Sequence, residues 1–344
     1  MTLNISLVKL TFFFKERFMF VGIDHGTVGI RFAVLNEGKS GRASVFVLSR
    51  KKAAEIDTEG IIREIEKGLE LKTEEIKLVA LTYSMGDGFS TIKDISKVRN
   101  RGVKSEEGAG AKVGGGTNVF DTILAAGIPT IMIPGIHAGS ETIDRRMKFF
   151  SHCASPEKVG VAYHIYKKGF ENFIFADISS NTVTMSVAKG KIIGAIDACL
   201  GSPGMYQGPI DLQMIREIDE GRITANEAFS NSGVLRKNWT NAITGNEELA
   251  MDALSLFAAM EIAAMRVLMR DYGYYHGVEQ PSSKIFLTGS VGEREEIKQR
   301  IDQLLGINSE TVTITMYSAA IGCAEIARDV FYGAKRILGI EVEP

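Results

Sequence analysis

The constraint that most narrows the fold of this chain is a pattern that occurs twice. Between Phe18 and Leu48 the segments FMFVGI, GIRFAVL and RASVFVLS read as three β segments, and the turn between the first two, GIDHGT, begins at the acidic Asp24. From Asn172 the segments NFIFADIS, TVTMSVAK and KIIGAIDA repeat that layout, with Asp177 opening the turn ADISSNT. Runs of apolar and β-branched residues separated by glycine and polar clusters are strand and turn signals. A strand meander that recurs about half a chain later implies two similar halves. With 344 residues, 45% of them hydrophobic, the chain has material for two domains, each with its own core.

The remaining elements mix with these meanders in α/β fashion. In the first half a helix is predicted over 57–71, where Ile61, Ile62, Ile65 and Leu69 fall on one stripe, followed by a strand at 76–81. Glycine is dense from Gly86 to Thr117, culminating in EEGAGAKVGGGTN, which suits a flexible loop or a close approach of backbone to ligand. A strand at 128–133 and helices over 140–150 and 156–168 are expected next. The segment 251–269 is apolar around most of a helical circumference, so a helix buried between elements is expected there. A strand at 284–290, a charged helix over 293–305, the strand TVTITM and a helix from 318 to about 337 complete the reading.

Charge and composition exclude several functions. A net charge of -2 and a pI near 6.3 give no excess that would gather a nucleic acid. Cys153, Cys199 and Cys323 match neither a disulfide framework nor zinc-ligand spacing, so they read as small buried hydrophobes in a reducing cytoplasm. The leader MTLNISLVKLTFFFKERF, residues 1–18, is too short in its apolar part to cross a bilayer and reads as an extension ahead of Met19. Neither nucleic acid nor membrane is expected as a partner.

The chemistry of the two acidic turns is that of a nucleotide site. A nucleoside triphosphate needs donors around its terminal phosphates and a carboxylate near the Mg²⁺ that neutralises them. Asp24 would address the metal, Gly26 would let the turn approach phosphate, and Thr27 would donate its hydroxyl. Asp177 would act likewise from the facing half, with Ser179, Ser180 and Asn181 as donors. Gly289 and Ser290, in the turn after KIFLTGS, would begin a helix against the nucleoside. His25 reads as a support for its turn. No GK[ST] follows the glycine-rich segment at Walker A spacing.

This ordered trio of turns resembles the superfamily of acetate kinase, hexokinase, actin and the heat-shock chaperone ATPase, over Phe20 to about Leu338. The resemblance implies two ribonuclease-H-like domains around a central nucleotide cleft, the first of 19–158 plus 319–344 and the second of 159–318. It also implies ATP and Mg²⁺ as cofactors, with Asp24 and Asp177 on the metal, and a homodimer. The acetate and butyrate kinases are the more similar branch. VRNRGVKSEEGAGAKVGGGTNVFD resembles their acceptor loop, which assigns Arg101 as a clamp on a small anionic acceptor. SPEKVGVAYHIYKK is similar to their helix before the second phosphate turn, which assigns His164 as a donor to the transferring phosphoryl group.

IIGAIDACLGSPGMYQGPID resembles the third strand of the second domain in those kinases. Three departures stand beside these matches: DISSNT lacks the family's glycines, IMIPGIHAGS offers His137 where an acid is expected, and SAAIGC replaces a glutamate, with Glu325 following later. Over the whole chain, GIDHGT, EGAG, GGGTNVFD and ADISSNT resemble the methanogenesis marker protein 12 family of methanogenic archaea, which implies a methanogen's cytoplasm. Two activities follow as expectations: an ATP-dependent phosphotransferase acting on a carboxylate or other small acceptor, or an ATP-dependent assembly, chaperone or regulatory factor with little turnover. A relative that has lost nucleotide altogether is the third reading.

Overall fold

Each meander forms, and each is extended in the same way. The computed structural model describes residues 18–26, 29–36, 43–84, 86–99, 114–237, 247–276, 284–306 and 311–343. The first meander is β1 (Met19–His25), β2 (Gly29–Asn36) and β3 (Ser44–Ser49), followed by α1 (Arg50–Glu55) and α2 (Thr58–Leu69). Then come β4 (Ile76–Leu81), β5 (Lys93–Asp94), α3 (Gly115–Ala125) and β6 (Thr130–Met132). The sheet order is β3-β2-β1-β4-β6-β5, with β1 parallel to β4 and β4 parallel to β6. Central β1 is buried along nearly its whole length, as a strand covered on both faces must be, whereas edge strand β3 alternates outward and exposes Val45 and Val47.

A small pair, β7 (Ile136–His137) and β8 (His152–Ala154), leads into α4 (Glu157–Lys167). The second meander is β9 (Phe173–Ile178), β10 (Thr182–Ala188) and β11 (Lys191–Ile196). After α5 (Leu212–Asp219), α6 (Ala225–Ser230) and α7 (Glu247–Tyr275) come β12 (Lys284–Thr288), α8 (Gly289–Gly292), α9 (Glu295–Leu305) and β13 (Thr311–Thr313). The order β11-β10-β9-β12-β13, with β12 parallel to both β9 and β13, reproduces the first five strands of the other sheet. The chain closes with α10 (Ser318–Phe331) and the hairpin β14 (Arg336–Ile337) and β15 (Ile340–Glu341).

The two halves meet where α10 lies against β1, β2 and β4 on one side and α4 on the other. Glycine makes this contact. A Cβ on Gly22 would stand 2.0 Å from the Ala320 carbonyl oxygen, and one on Gly322 would stand 1.8 Å from that of Gly160. Backbone therefore touches backbone from β1 through α10 to α4. The C-terminal segment returns to the first sheet, since Ile92 bridges Val342 and its N–H donates to the Glu341 carbonyl at 2.8 Å.

Three element expectations differ from the structure. The 140–150 segment forms only a short 3-10 turn, Met147–Phe149, because Asp144 binds the Arg146 backbone and guanidinium with its side chain, while its N–H donates to Ile193 of the second sheet. The last helix stops at Phe331, where Gly333 takes φ +94 and the chain turns into the hairpin. Helix α7 runs 29 residues and is not covered on all sides: its Ala250, Leu254, Ala258, Ile262, Met265 and Met269 enter the core, while Met260 and Val267 on the opposite side are exposed. Cys199 is likewise exposed, in contrast to buried Cys153 and Cys323. Among the described residues no helix is long and apolar enough to cross a membrane.

Candidate functional site

The antiparallel register of β1 and β2 sets Asp24 directly opposite Arg31. Asp24 is fully buried, and the Arg31 guanidinium donates to its Oδ2 at 2.8 Å. Its Oδ1 is buried with no hydrogen-bond partner. Gly26 leaves room for this arrangement, because a Cβ there would fall 2.6 Å from the Arg31 guanidinium. Burial acts against the charge on Arg31, but the fields of Asp24 and Asp177 outweigh it and raise the guanidinium pKa. Both acidic turns thus act on one cation.

Further donors hold the first turn in place. Arg50, at the start of α1, donates to the Gly26 carbonyl at 2.8 Å and to that of His25 at 3.2 Å. The His25 ring lies between the carbonyls of Thr82 and Gly116, and burial together with nearby Arg50 lowers its pKa to about 4. The ring ties the turn to the first residues of α3, which is the support expected of it.

Asp177 is the penultimate residue of β9, as Asp24 is of β1. Lys158 in the first turn of α4 is 4% exposed and donates to Asp177 Oδ2 at 2.8 Å, with Glu157 at 3.4 Å from the same ammonium. Burial is the largest influence on Asp177 and opposes its charge, yet Lys158, Arg31 and the Ser179 hydroxyl together hold the carboxyl below its ordinary range. Ser179 Oγ donates to Asp177 Oδ1 at 3.1 Å. Gly289 takes φ +90 beside this oxygen, and a Cβ there would come within 2.4 Å of it. The structure therefore brings Asp177, Ser179 and Gly289 together, with Ser290 exposed on the next position.

Ser180 and Asn181 complete the turn under a cover of backbone. The Ser180 carbonyl accepts from the N–H groups of Tyr206 and Gln207, and Gly204 packs so closely on Asn181 that a Cβ would lie 2.3 Å from its Cα. Thr27 and Arg101 lie outside the described residues. His164 is not drawn to the acidic pair: its Nδ1 is 3.1 Å from Glu325 Oε2, a bond between α4 and α10. His137 donates from Nε2 to the Phe89 carbonyl and accepts the Gly139 N–H at Nδ1, so its ring is fully engaged within its own loop.

A different histidine stands beside the site. His152 in β8 is 9% exposed; its Nδ1 is 2.7 Å from Asp87, and its Nε2, 4.0 Å from Asp197, is buried without a hydrogen-bond partner. Burial, its largest influence, disfavours the imidazolium, but the Asp87 bond and the fields of Asp197, Asp87 and Glu157 win and raise its pKa. Glu157 in turn feels Asp24 and Asp177, and burial first, then these charges, raise its own pKa. Glu157 is thus within the field of both aspartates and in turn acts on His152. Sequence reading chose His164 because it precedes the second meander on a helix; the Asp87 and Asp197 that single out His152 come from loops distant in sequence.

Among the described residues no group of three or more His, Cys, Asp or Glu side chains is placed to hold a metal unaided. A cavity of about 770 Å³, lined by Asp144, Arg145, Lys191 and Tyr272 among others, takes none of its walls from the acidic turns. The turns themselves are closed in by their own cations.

Comparison with solved structures gives a propionate kinase from Francisella tularensis (TM-score 0.58, 15% identity, 91% of this chain and 99% of that one). An acetate kinase from Porphyromonas gingivalis gives a TM-score of 0.53 at 13% identity, covering 92% of this chain and 99% of that one. These likenesses establish the acetate-kinase type of actin-like ATPase fold. No protein-family model matches. Among curated proteins, the UPF0285 protein of Methanosarcina mazei is 50% identical over 334 residues, covering 94% of this chain and 99% of its own length. That of Methanocaldococcus jannaschii is 43% identical over 342 residues, covering 94% and 98%. With Asp24, Asp177 and Gly289 set in a duplicated kinase-type fold, and with identity of this extent, the chain belongs to the UPF0285 family of methanogenic archaea.

Proposed function

We propose that this protein binds Mg-ATP between the two acidic turns and transfers its terminal phosphoryl group to a small, carboxylate-class acceptor in the methanogen cytoplasm. The observation that carries this reading is the bare, fully buried Oδ1 of Asp24, on a turn whose counterpart Asp177 acts with it on the Arg31 guanidinium. An unpartnered buried polar group costs roughly 1–3 kcal/mol, a cost that an ion bound at this oxygen would relieve.

The residues fit a magnesium nucleotide. Mg²⁺ is commonly held by one or two carboxylates plus phosphate and water, which agrees with a site lacking a three-ligand protein cluster. When bound, the ion would neutralise the phosphate oxygens. Asp24 is the carboxylate with a free oxygen, whereas both oxygens of Asp177 are engaged, so Asp177 acts through Lys158 and solvent. Thr27, Ser179, Ser180, Asn181 and Ser290 are the hydroxyl and amide donors around the phosphates, and Gly26 and Gly289 admit close approach. His152, its Nδ1 held by Asp87 and its Nε2 bare, takes the role of donor to the transferring group in this reading, where charge is stabilised by fixed donors. Arg101 remains the acceptor clamp in this reading.

A second reading, an ATP-dependent assembly or regulatory factor with little turnover, is favoured by one observation. Each site carboxylate is already held in an internal ion pair, Arg31 with Asp24 and Lys158 with Asp177, which nucleotide must rearrange. Calorimetric titration of the wild type and of Asp24→Asn with Mg-ATP, followed by an acyl-phosphate assay over a panel of carboxylates, tests both. Binding lost in Asp24→Asn with product formed supports the transferase; binding without product across the panel supports the switch; binding indifferent to Asp24→Asn overturns the site.

A further inference from the structure

We infer that the cavity between the end of α7 and the C-terminal hairpin is a second ligand site, built for a planar aromatic ring that carries a phosphate. Its volume, about 770 Å³, lies within the roughly 300–1,000 Å³ of small-molecule sites. The 141–146 loop, the start of β11, the last turn of α7 and the hairpin wall it. One wall is fixed from beneath. The Thr142 hydroxyl donates to the Ile192 carbonyl at 2.8 Å and lies 3.2 Å from that of Leu338. Gly339 takes φ +88 beside it, and a Cβ there would come within 2.5 Å of the hydroxyl oxygen. Leu338 is left-handed too, at φ +48, which a non-glycine residue seldom adopts, and its side chain is buried in the core that holds the turn.

Charge selects the anion. Four cations, Arg145, Arg146, Lys191 and Arg336, line the space with three carboxylates, those of Glu141, Asp144 and Glu341. Arg146 is taken up by Asp144 and Asp271, at 2.8 and 2.6 Å, and Arg336 by Glu341 at 2.9 Å. Arg145 and Lys191 have no side-chain partner within 4.0 Å among the described residues, and they stand on separate elements. Two such cations match the charge of a phosphate monoester, about −2 near neutral pH. Glu141, the remaining acid, can accept from a hydroxyl or amino group elsewhere on the ligand.

The end of α7 selects the ring. Tyr272 packs on His276 with ring centres 4.1 Å apart, and Tyr275, 71% exposed, has the Arg146 guanidinium 5.8 Å from its own centre. These rings offer the flat apolar surface on which a planar heterocycle stacks. An inorganic anion would leave that surface wet, and a neutral ring would leave Arg145 and Lys191 unpaired. A ring bearing a phosphate meets both. The hairpin is tied to the first sheet through Ile92, whereas β11 and α7 belong to the second half, so a ligand here touches both halves. The inference does not depend on the nucleotide reading.

Titration of the full chain with FMN by flavin fluorescence and with AMP by calorimetry tests it, the two probes distinguishing a flavin from a purine ring. Riboflavin and ribose 5-phosphate serve as ring alone and phosphate alone. At least one of FMN and AMP is expected to bind, and its separate parts to bind about tenfold more weakly or less. Lys191→Glu, Arg145→Glu and Tyr275→Ala are each expected to raise the dissociation constant about tenfold. All three side chains are exposed, so circular dichroism should stay unchanged. Asp24→Asn is expected to leave FMN binding as it is. No binding of either probe, binding indifferent to Lys191→Glu and Arg145→Glu, or FMN bound no more tightly than riboflavin would each overturn it.

Discussion

Asp24 and Arg31 are direct cross-strand partners, and their ion pair satisfies one carboxylate oxygen while leaving the other bare. Removing the cation strands a buried charge. Arg31→Met is therefore expected to destabilise the fold by about 3 to 5 kcal/mol in urea unfolding, whereas Asp24→Asn combined with Arg31→Met recovers much of that loss. Equal destabilisation by the single and double substitutions would show that the pair contributes packing alone.

Stability should fall with rising pH through His152. Its folded pKa lies above the ordinary 6.5, so the contribution is fully present below pH 6.5 and is lost as pH rises through the folded value. The melting temperature of the wild type is expected to drop from pH 6 toward alkaline pH more steeply than that of His152→Gln. Identical slopes would contradict the Asp87 and Asp197 assignment.

Glu261 adds a second dependence of the same sign. Buried in α7, it accepts from Thr184 Oγ1 at 2.6 Å and from the Ser202 N–H, and burial, despite those bonds, raises its pKa from 4.5 to about 7. Folding favours its protonated form, so stability is complete below pH 4.5 and diminishes as pH rises through 7. The loss approaches about 3 kcal/mol on the alkaline side. Glu261→Gln should flatten that part of the profile, and combining it with His152→Gln should flatten it further.

Gly322→Ala tests the contact between the halves. Its methyl would have to enter the Gly160 carbonyl, so the loss should reach or exceed the roughly 1–3 kcal/mol usual for overpacking, read as a lowered urea midpoint. Ala324→Gly, on the same helix, should cost only about 1 kcal/mol through helix propensity and lost packing.

The fold was legible because its signals are local and repeated. The meanders at Met19 and Phe173, the helix capped by Asp57 and the strand at Ile76 rest on periodicity and turn residues, which act over a few positions. The site was legible only where it lies on those turns. Asp24, Asp177 and Gly289 are found by motif, but Arg31 is found only by counting the hairpin register, and His152 only by knowing which loops carry Asp87 and Asp197. Pairings across 65 residues, such as His152 with Asp87, leave no trace in local pattern. Helix α7 misled for the opposite reason: its composition reports how much apolar surface it has and says nothing of how that surface divides between core and solvent.

The glycine contact between α10 and α4 has a mechanical meaning. Gly22 sits two residues before Asp24, and Gly160 two residues after Lys158, which grips Asp177. The contact between the two halves thus lies close along the chain to Asp24 and to the lysine that holds Asp177. Any rocking of one sheet against the other about this point would carry the outer loops farther than the two aspartates, which lie next to the pivot.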